Sequence, residues 1–352
     1  MNQRPSLLLG SMPFENEAAC MQQALEYLSD SLVSLPDGEL SDKPHSSPKS
    51  KWHNWSQTAI EKLSGDPSYW DMGAPTTLQK NSFLNGPKSR RASCTNQQMI
   101  AQSSFGYEAY FQASFPIFLK LRQHYQRPDL TFQVGVSTGF ATGLSLASKH
   151  DWSRYTSMFN RSIAKEINTI YRQAGQDVLF QIEVPTELYA AYLLPTWLIS
   201  QPLRPIIDLL EQIEPGARIG IHLCIGSFQS KALASSNSIQ KMVDFSNWLV
   251  ASWPVKHQLE YIHFPLAEGE STAQIERSYY KPLAEVYLPS HTQFFAGIIH
   301  EKQSVDQLKR ITYEIEKLRK SRIGIASSCG LGCRSPEIAT QLLKHTAQVA
   351  SA

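Results

Sequence analysis

A chain of 352 residues with 42% hydrophobic side chains is long enough for one large barrel or two medium domains, so burying a core is no obstacle. Its 33 basic and 31 acidic side chains leave a formal net charge of +2, which gives no strong field for nucleic acid or an anionic membrane and makes a small molecule the default partner. Five cysteines, an odd number, argue against a disulfide framework and for metal or redox chemistry in a reducing compartment.

The opening MNQRPSLLLGSMPFENE breaks its short apolar run at Gly10 and Pro13 and turns acidic, so it reads as a buried strand over Ser6 to Gly10 rather than a signal peptide. A second short strand follows near Leu32 to Leu35. The segment 41–104 then departs from the rhythm. It is rich in Ser, Pro, Lys, Asn and Gln and reads as a long irregular insertion, a candidate lid in which Trp52, Trp55 and Trp70 pack down. Arg90, Arg91, Ala92 and Ser93 within it have the form of a basophilic kinase site but read rather as an ordinary basic loop.

From about residue 130 short β-branched or aromatic runs alternate with amphipathic stretches, the pattern of βαβ units on a parallel sheet. The expected strands are Thr131 to Ser137, Val178 to Glu183, Arg218 to His222, Leu259 to Phe264, Gln293 to Ile299 and Ile323 to Ser327. Between them Tyr155, Phe159, Ile163, Ile167 and Ile170 recur at helical spacing, as do Leu308, Ile311, Ile315 and Leu318. Ser304 and Gln307 predict a capping box on the second of these helices. Eight strands in all predict a closed α/β fold, a single (β/α)8 barrel of the TIM type over 1–352. No stretch approaches the roughly 18 apolar residues of a membrane span, and the chain is expected to be cytoplasmic.

In such a barrel the chemistry sits at the carboxyl ends of the strands. One strand ends in His222-Leu223-Cys224, and alternation points the imidazole and the thiol the same way. The last strand ends at Cys329, with Cys333 in the next turn. Three ligands from two strand ends would leave a zinc ion one exchangeable position. Spacing alone leaves open whether these side chains are ligands or packed strand ends, since free cysteine is commonly buried.

Five short pieces occur in order: Leu9-Gly10-Ser11-Met12-Pro13, Pro36-Asp37-Gly38-Glu39, Gln181-Ile182-Glu183-Val184-Pro185, His222-Leu223-Cys224 and Cys329-Gly330-Leu331. In this the chain resembles the catalytic barrel of cobalamin-independent methionine synthase, in its stand-alone core form, over nearly its whole length. The resemblance implies a zinc-dependent methyl or alkyl transferase acting through a zinc-bound thiolate on a small thiol such as homocysteine, with a separate methyl or alkyl donor. It implies that His222, Cys224 and Cys329 hold the zinc. Gly10 and Ser11 would hold the carboxylate of a thiol amino acid, Glu39 and Glu183 its ammonium group, and His300 would serve as the acid-base group beside Glu183.

The family's glutamate ligand should follow the sixth strand, where this chain has Ile262-His263-Phe264-Pro265. Glu268, His263, Cys333 or water is left to complete the shell. Two other readings remain: a lyase or decarboxylase on the same barrel, which would need no zinc, and a zinc-binding barrel without catalytic activity.

Overall fold

A computed structural model describes residues 3–40, 104–146, 152–225 and 238–352. Eight parallel strands alternate with helices in chain order. They are β1 Ser6–Leu7, β2 Ser34–Pro36, β3 Thr131–Ser137, β4 Val178–Glu183, β5 Arg218–His222, β6 Gln258–Pro265, β7 Gln293–Ile299 and β8 Gly324–Ser327. From β2 to β8 consecutive strands pair, and β1 pairs with β8. The remaining seam, between β1 and β2, is bridged by bonds from the Ser6 amide to the Ser31 carbonyl (2.8 Å) and from the Val33 amide to the Ser6 carbonyl (3.1 Å). The sheet therefore closes into a TIM-type (β/α)8 barrel, as the strand count predicts.

The main helices are α1 Glu17–Leu28, α2 Tyr107–His124, α3 Gly139–Leu146, α4 Trp152–Ala174, α5 Pro185–Leu193, α6 Arg204–Gln212, α7 Gln240–Ala251, α8 Arg277–Tyr280, α9 Val305–Arg319 and α10 Pro336–Ala350. The expected stripe on α4, from Tyr155 to Ile170, is buried throughout. Each such aliphatic or aromatic side chain contributes about 1.5–3 kcal/mol by leaving water, which holds the helix against the sheet. On α9 Leu308, Ile311 and Ile315 are buried and Leu318 packs at the edge of the core, with the Ser304–Gln307 capping box in place.

β3, β4, β5 and β7 coincide with their expected bounds. The first strand is shorter than expected, because beyond Leu7 the chain turns at Gly10 (φ +91°) and bonds instead to the β2 loop and the β8 turn. The second lies two residues later at its start than the hydrophobic pattern suggests. The insertion, with Trp52, Trp55, Trp70 and the Arg90–Ser93 motif, lies outside the described residues. Where the chain resumes, the Glu166 carboxylate on α4 accepts the amides of Phe105 and Glu108 and so fixes the start of α2.

One buried carboxyl group, just beyond the end of β4, has no ion-pair partner among the described residues. Glu187 on α5 is 1% exposed, accepts the Thr138 hydroxyl, and is pushed up to about 7 by burial. Its folded-state pKa lies above the ordinary 4.5, so the folded state holds the proton longer than the unfolded one. Stability present below about pH 4.5 is consequently lost as pH rises toward 7, by about 3 kcal/mol at most. Glu187→Gln is expected to flatten that slope and to stabilise the protein at pH 8, which urea denaturation at several pH values would read. An unchanged slope would show that Glu187 is not the group responsible.

Candidate metal centre

The barrel brings His222, Cys224 and Cys329 together at its carboxyl end. Their ligand atoms lie within 4.8 Å of one another, and the two sulfurs are 4.0 Å apart. Two sulfurs held at about 2.3 Å from one tetrahedral ion stand about 3.8 Å apart, whereas a disulfide needs about 2 Å. The spacing thus fits a shared ion and not a disulfide.

The histidine is prepared for such an ion. His222 ends β5 and is fully buried. Its Nδ1 lies 2.8 Å from Nδ1 of His263 on β6, and Nε2 of His263 lies 3.0 Å from the Ser327 carbonyl oxygen. Burial pushes His263 down to about 3 and, with His263 beside it, His222 well below its usual range, so both rings are neutral. The remaining nitrogen, Nε2 of His222, is buried without any hydrogen-bond partner. A buried polar atom left unpaired costs about 1–3 kcal/mol, and a metal ion removes that cost.

None of the proposed fourth ligands joins this cluster. His263 stands behind His222. Glu268 and Cys333 line the adjoining cleft with His300, Glu301, Cys329 and Arg334. His300, next after β7, is 1% exposed. Its Nδ1 accepts the Lys302 amide at 3.1 Å, which puts the proton of the neutral ring on Nε2. Burial lowers its pKa, while Glu301 and the Gly269 carbonyl work the other way.

Beside the cluster lies a pair of carboxyl groups. Glu39 follows the Asp37-Gly38 turn in the left-handed region (φ 50°), held there by the Asp37 carboxylate, which accepts its amide at 3.0 Å and the Ser114 hydroxyl at 2.7 Å. Such a conformation costs a non-glycine residue roughly 1–2 kcal/mol and is tolerated where the surroundings dictate it. Glu39 Oε1 is buried and unpaired. Burial, then Glu183, then Asp37 and Cys329 raise its pKa well above the carboxylate range. Burial raises Glu183 to about 7, against the opposing hydrogen bond from Gln181 (3.1 Å). Gln181 is in turn fixed by the Tyr261 hydroxyl at 3.0 Å.

Two glycines make room for this pair. A Cβ on Gly10 would stand 2.1 Å from Glu39 Oε1, and one on Gly135 of β3 would stand 2.4 Å from the same atom and 3.8 Å from Glu183 Oε1. Gly135 escaped the sequence reading, which passes over it inside the strand Thr131 to Ser137. Ser11 is buried, and its hydroxyl oxygen accepts the Gly332 amide at 3.3 Å while its carbonyl accepts the Leu331 amide at 2.7 Å. The first-strand turn therefore braces the loop that carries Cys329.

The whole barrel is similar to a B12-independent methionine synthase from Shewanella sp. W3-18-1 in complex with selenomethionine, with a TM-score of 0.58 and 12% identity over 99% of this chain and 97% of that one. It is also similar to a methyltransferase from Methanosarcina mazei, with a TM-score of 0.53 and 12% identity over 99% of this chain and 94% of that one. At that identity the likeness establishes the fold. No family model and no curated protein matches the sequence. Among the described residues no helix is long and apolar enough to cross a membrane.

Proposed function

We propose that the chain is a cytoplasmic, zinc-dependent methyl or alkyl transferase acting on a small thiol of the homocysteine type. The observation that carries this reading is the donor set itself: two thiols 4.0 Å apart and an unpaired, buried imidazole nitrogen at the mouth of a barrel shared with methyl-transferring proteins. Two sulfurs and one nitrogen suit zinc in preference to a hard ion such as magnesium.

In this reading Nε2 of His222 and the sulfurs of Cys224 and Cys329 hold the ion. When bound, zinc supplies the Lewis acid that deprotonates a substrate thiol at neutral pH, where the free thiol (pKa about 8.5) is mostly protonated. Glu39 and Glu183 receive the substrate's ammonium group, which supplies the positive charge that two buried carboxylates require. The backbone at Gly10 and the Ser11 hydroxyl meet its carboxylate. His300 carries its proton on Nε2 and donates it to the group that departs from the transferred carbon.

The purified protein is expected to contain zinc and to alkylate homocysteine from at least one member of a panel of methyl and alkyl donors, with loss on chelation and recovery on adding zinc. Turnover that survives complete zinc removal would favour the lyase reading. Stoichiometric zinc with no transfer to any thiol would favour a non-catalytic barrel.

A further inference from the structure

We propose that His263 is a positioning residue that fixes which nitrogen of His222 faces the metal, leaving three protein ligands and an open fourth position. The inference rests on the zinc reading and concerns a residue that the sequence left among the alternatives for a fourth ligand.

A backbone carbonyl can only accept, so Nε2 of His263, 3.0 Å from the Ser327 oxygen, must carry that ring's proton. His263 is fully buried and pairs with no carboxylate among the described residues, so its ring carries that single proton and Nδ1 is a lone pair. It lies 2.8 Å from Nδ1 of His222, which must donate to it. Nε2 of His222, the buried nitrogen without a hydrogen-bond partner, consequently has no proton and keeps its lone pair for an ion shared with Cys224 and Cys329. The order of bonds runs one way, from the Ser327 carbonyl through two imidazoles to the ligand atom. Reversing His263 would set a proton against a proton and a carbonyl against a lone pair, and reversing His222 would set a lone pair against a lone pair.

The barrel is built to keep this relay in place. His222 and His263 are register partners on β5 and β6. On the next strand Gly297 clears the space for the second ring, since a Cβ there would stand 2.5 Å from Nε2 of His263. Both imidazoles are fully buried, so water does not compete for the bonds. A ligating histidine commonly donates its other nitrogen to a carboxylate, carbonyl or water, and this chain uses an imidazole for that purpose. With a neutral histidine and two thiolates, the ligand set balances the charge of a divalent zinc before substrate arrives. An incoming thiolate then adds the first net negative charge.

The test begins on the metal-free protein, so that its outcome is independent of whether zinc is the native ion. Nitrogen-15 NMR of the histidine rings is expected to show His222 protonated on Nδ1 and His263 on Nε2. Zinc titration is then expected to give an affinity about 10- to 100-fold weaker for His263→Phe than for the unaltered protein. His263→Asn, whose side-chain oxygen can stand where Nδ1 stood and accept the same bond, is expected to recover most of it. The Asn variant also serves if the Phe variant does not fold. A His222 ring protonated on Nε2, a Phe variant that binds zinc as tightly as the unaltered protein, an Asn variant no better than Phe, or a zinc ion ligated by both imidazoles would overturn the proposal.

Discussion

Replacing Cys329 by serine is expected to remove the metal, from about one zinc ion per chain to none retained through dialysis, while the barrel stays folded. The thiolate is a soft ligand that zinc deprotonates outright, and a serine hydroxyl resists that deprotonation and binds weakly. The two donors left, His222 and Cys224, come from one strand end and cannot enclose an ion. Cys329 belongs to the turn after β8, is only partly buried, and lies outside the apolar core that holds the barrel. Its loss therefore subtracts a ligand and little packing. Metal analysis alongside circular dichroism and thermal unfolding separates the two effects. Collapse of the fold together with the metal would mean that the ion is a structural staple and that the catalytic reading of the site is mistaken.

Changing Glu39 to Gln is expected to weaken binding of an amino-acid thiol by about 1.5–3 kcal/mol, roughly 10- to 150-fold, without loss of zinc. The carboxylate is buried, unpaired and pressed toward protonation by Glu183 and Asp37, so in the empty site it is a cost to the fold. A substrate ammonium turns that cost into a charge-assisted contact. An amide keeps the shape and loses the charge, so the variant should be as stable as the unaltered protein or more so, the usual relation between stability and a binding site. A thiol without an amino group should bind both forms alike. Calorimetric titration with the two kinds of thiol decides the matter, and equal losses for both would reject the ammonium contact and with it the homocysteine-like substrate.

The parts legible from sequence were those that depend on local pattern. β3, β4, β5 and β7 are short β-branched or aromatic runs bounded by turn residues, and they appear where that pattern puts them. His222 and Cys224 meet at the end of β5, though by a tight turn and not by strand alternation, since the strand ends at His222 and the Cys224 amide bonds back to its carbonyl at 2.8 Å. The rest depends on register and ring orientation, which no periodicity reports. That His263 faces His222 follows from the pairing of β5 with β6, and its role follows from a carbonyl on β8. Gly135 draws no notice within β3 until the Glu39 carboxylate is found against it. β1 is shorter than its apolar run suggests because the residues beyond it bond to the β2 loop, as when the Met12 amide meets the Gly38 carbonyl at 3.0 Å.

In the proposed function His222, Cys224 and Cys329 hold a zinc ion whose remaining position takes the sulfur of the substrate. Zinc-edge X-ray absorption of the protein, before and after saturation with homocysteine, tests it most directly. Before addition the ion should show the two sulfurs of Cys224 and Cys329, one imidazole nitrogen and one further light atom. After addition a third sulfur at about 2.3 Å should replace the light atom. An unchanged sulfur count at saturating thiol, or a protein that takes up no zinc under any condition, would contradict the account.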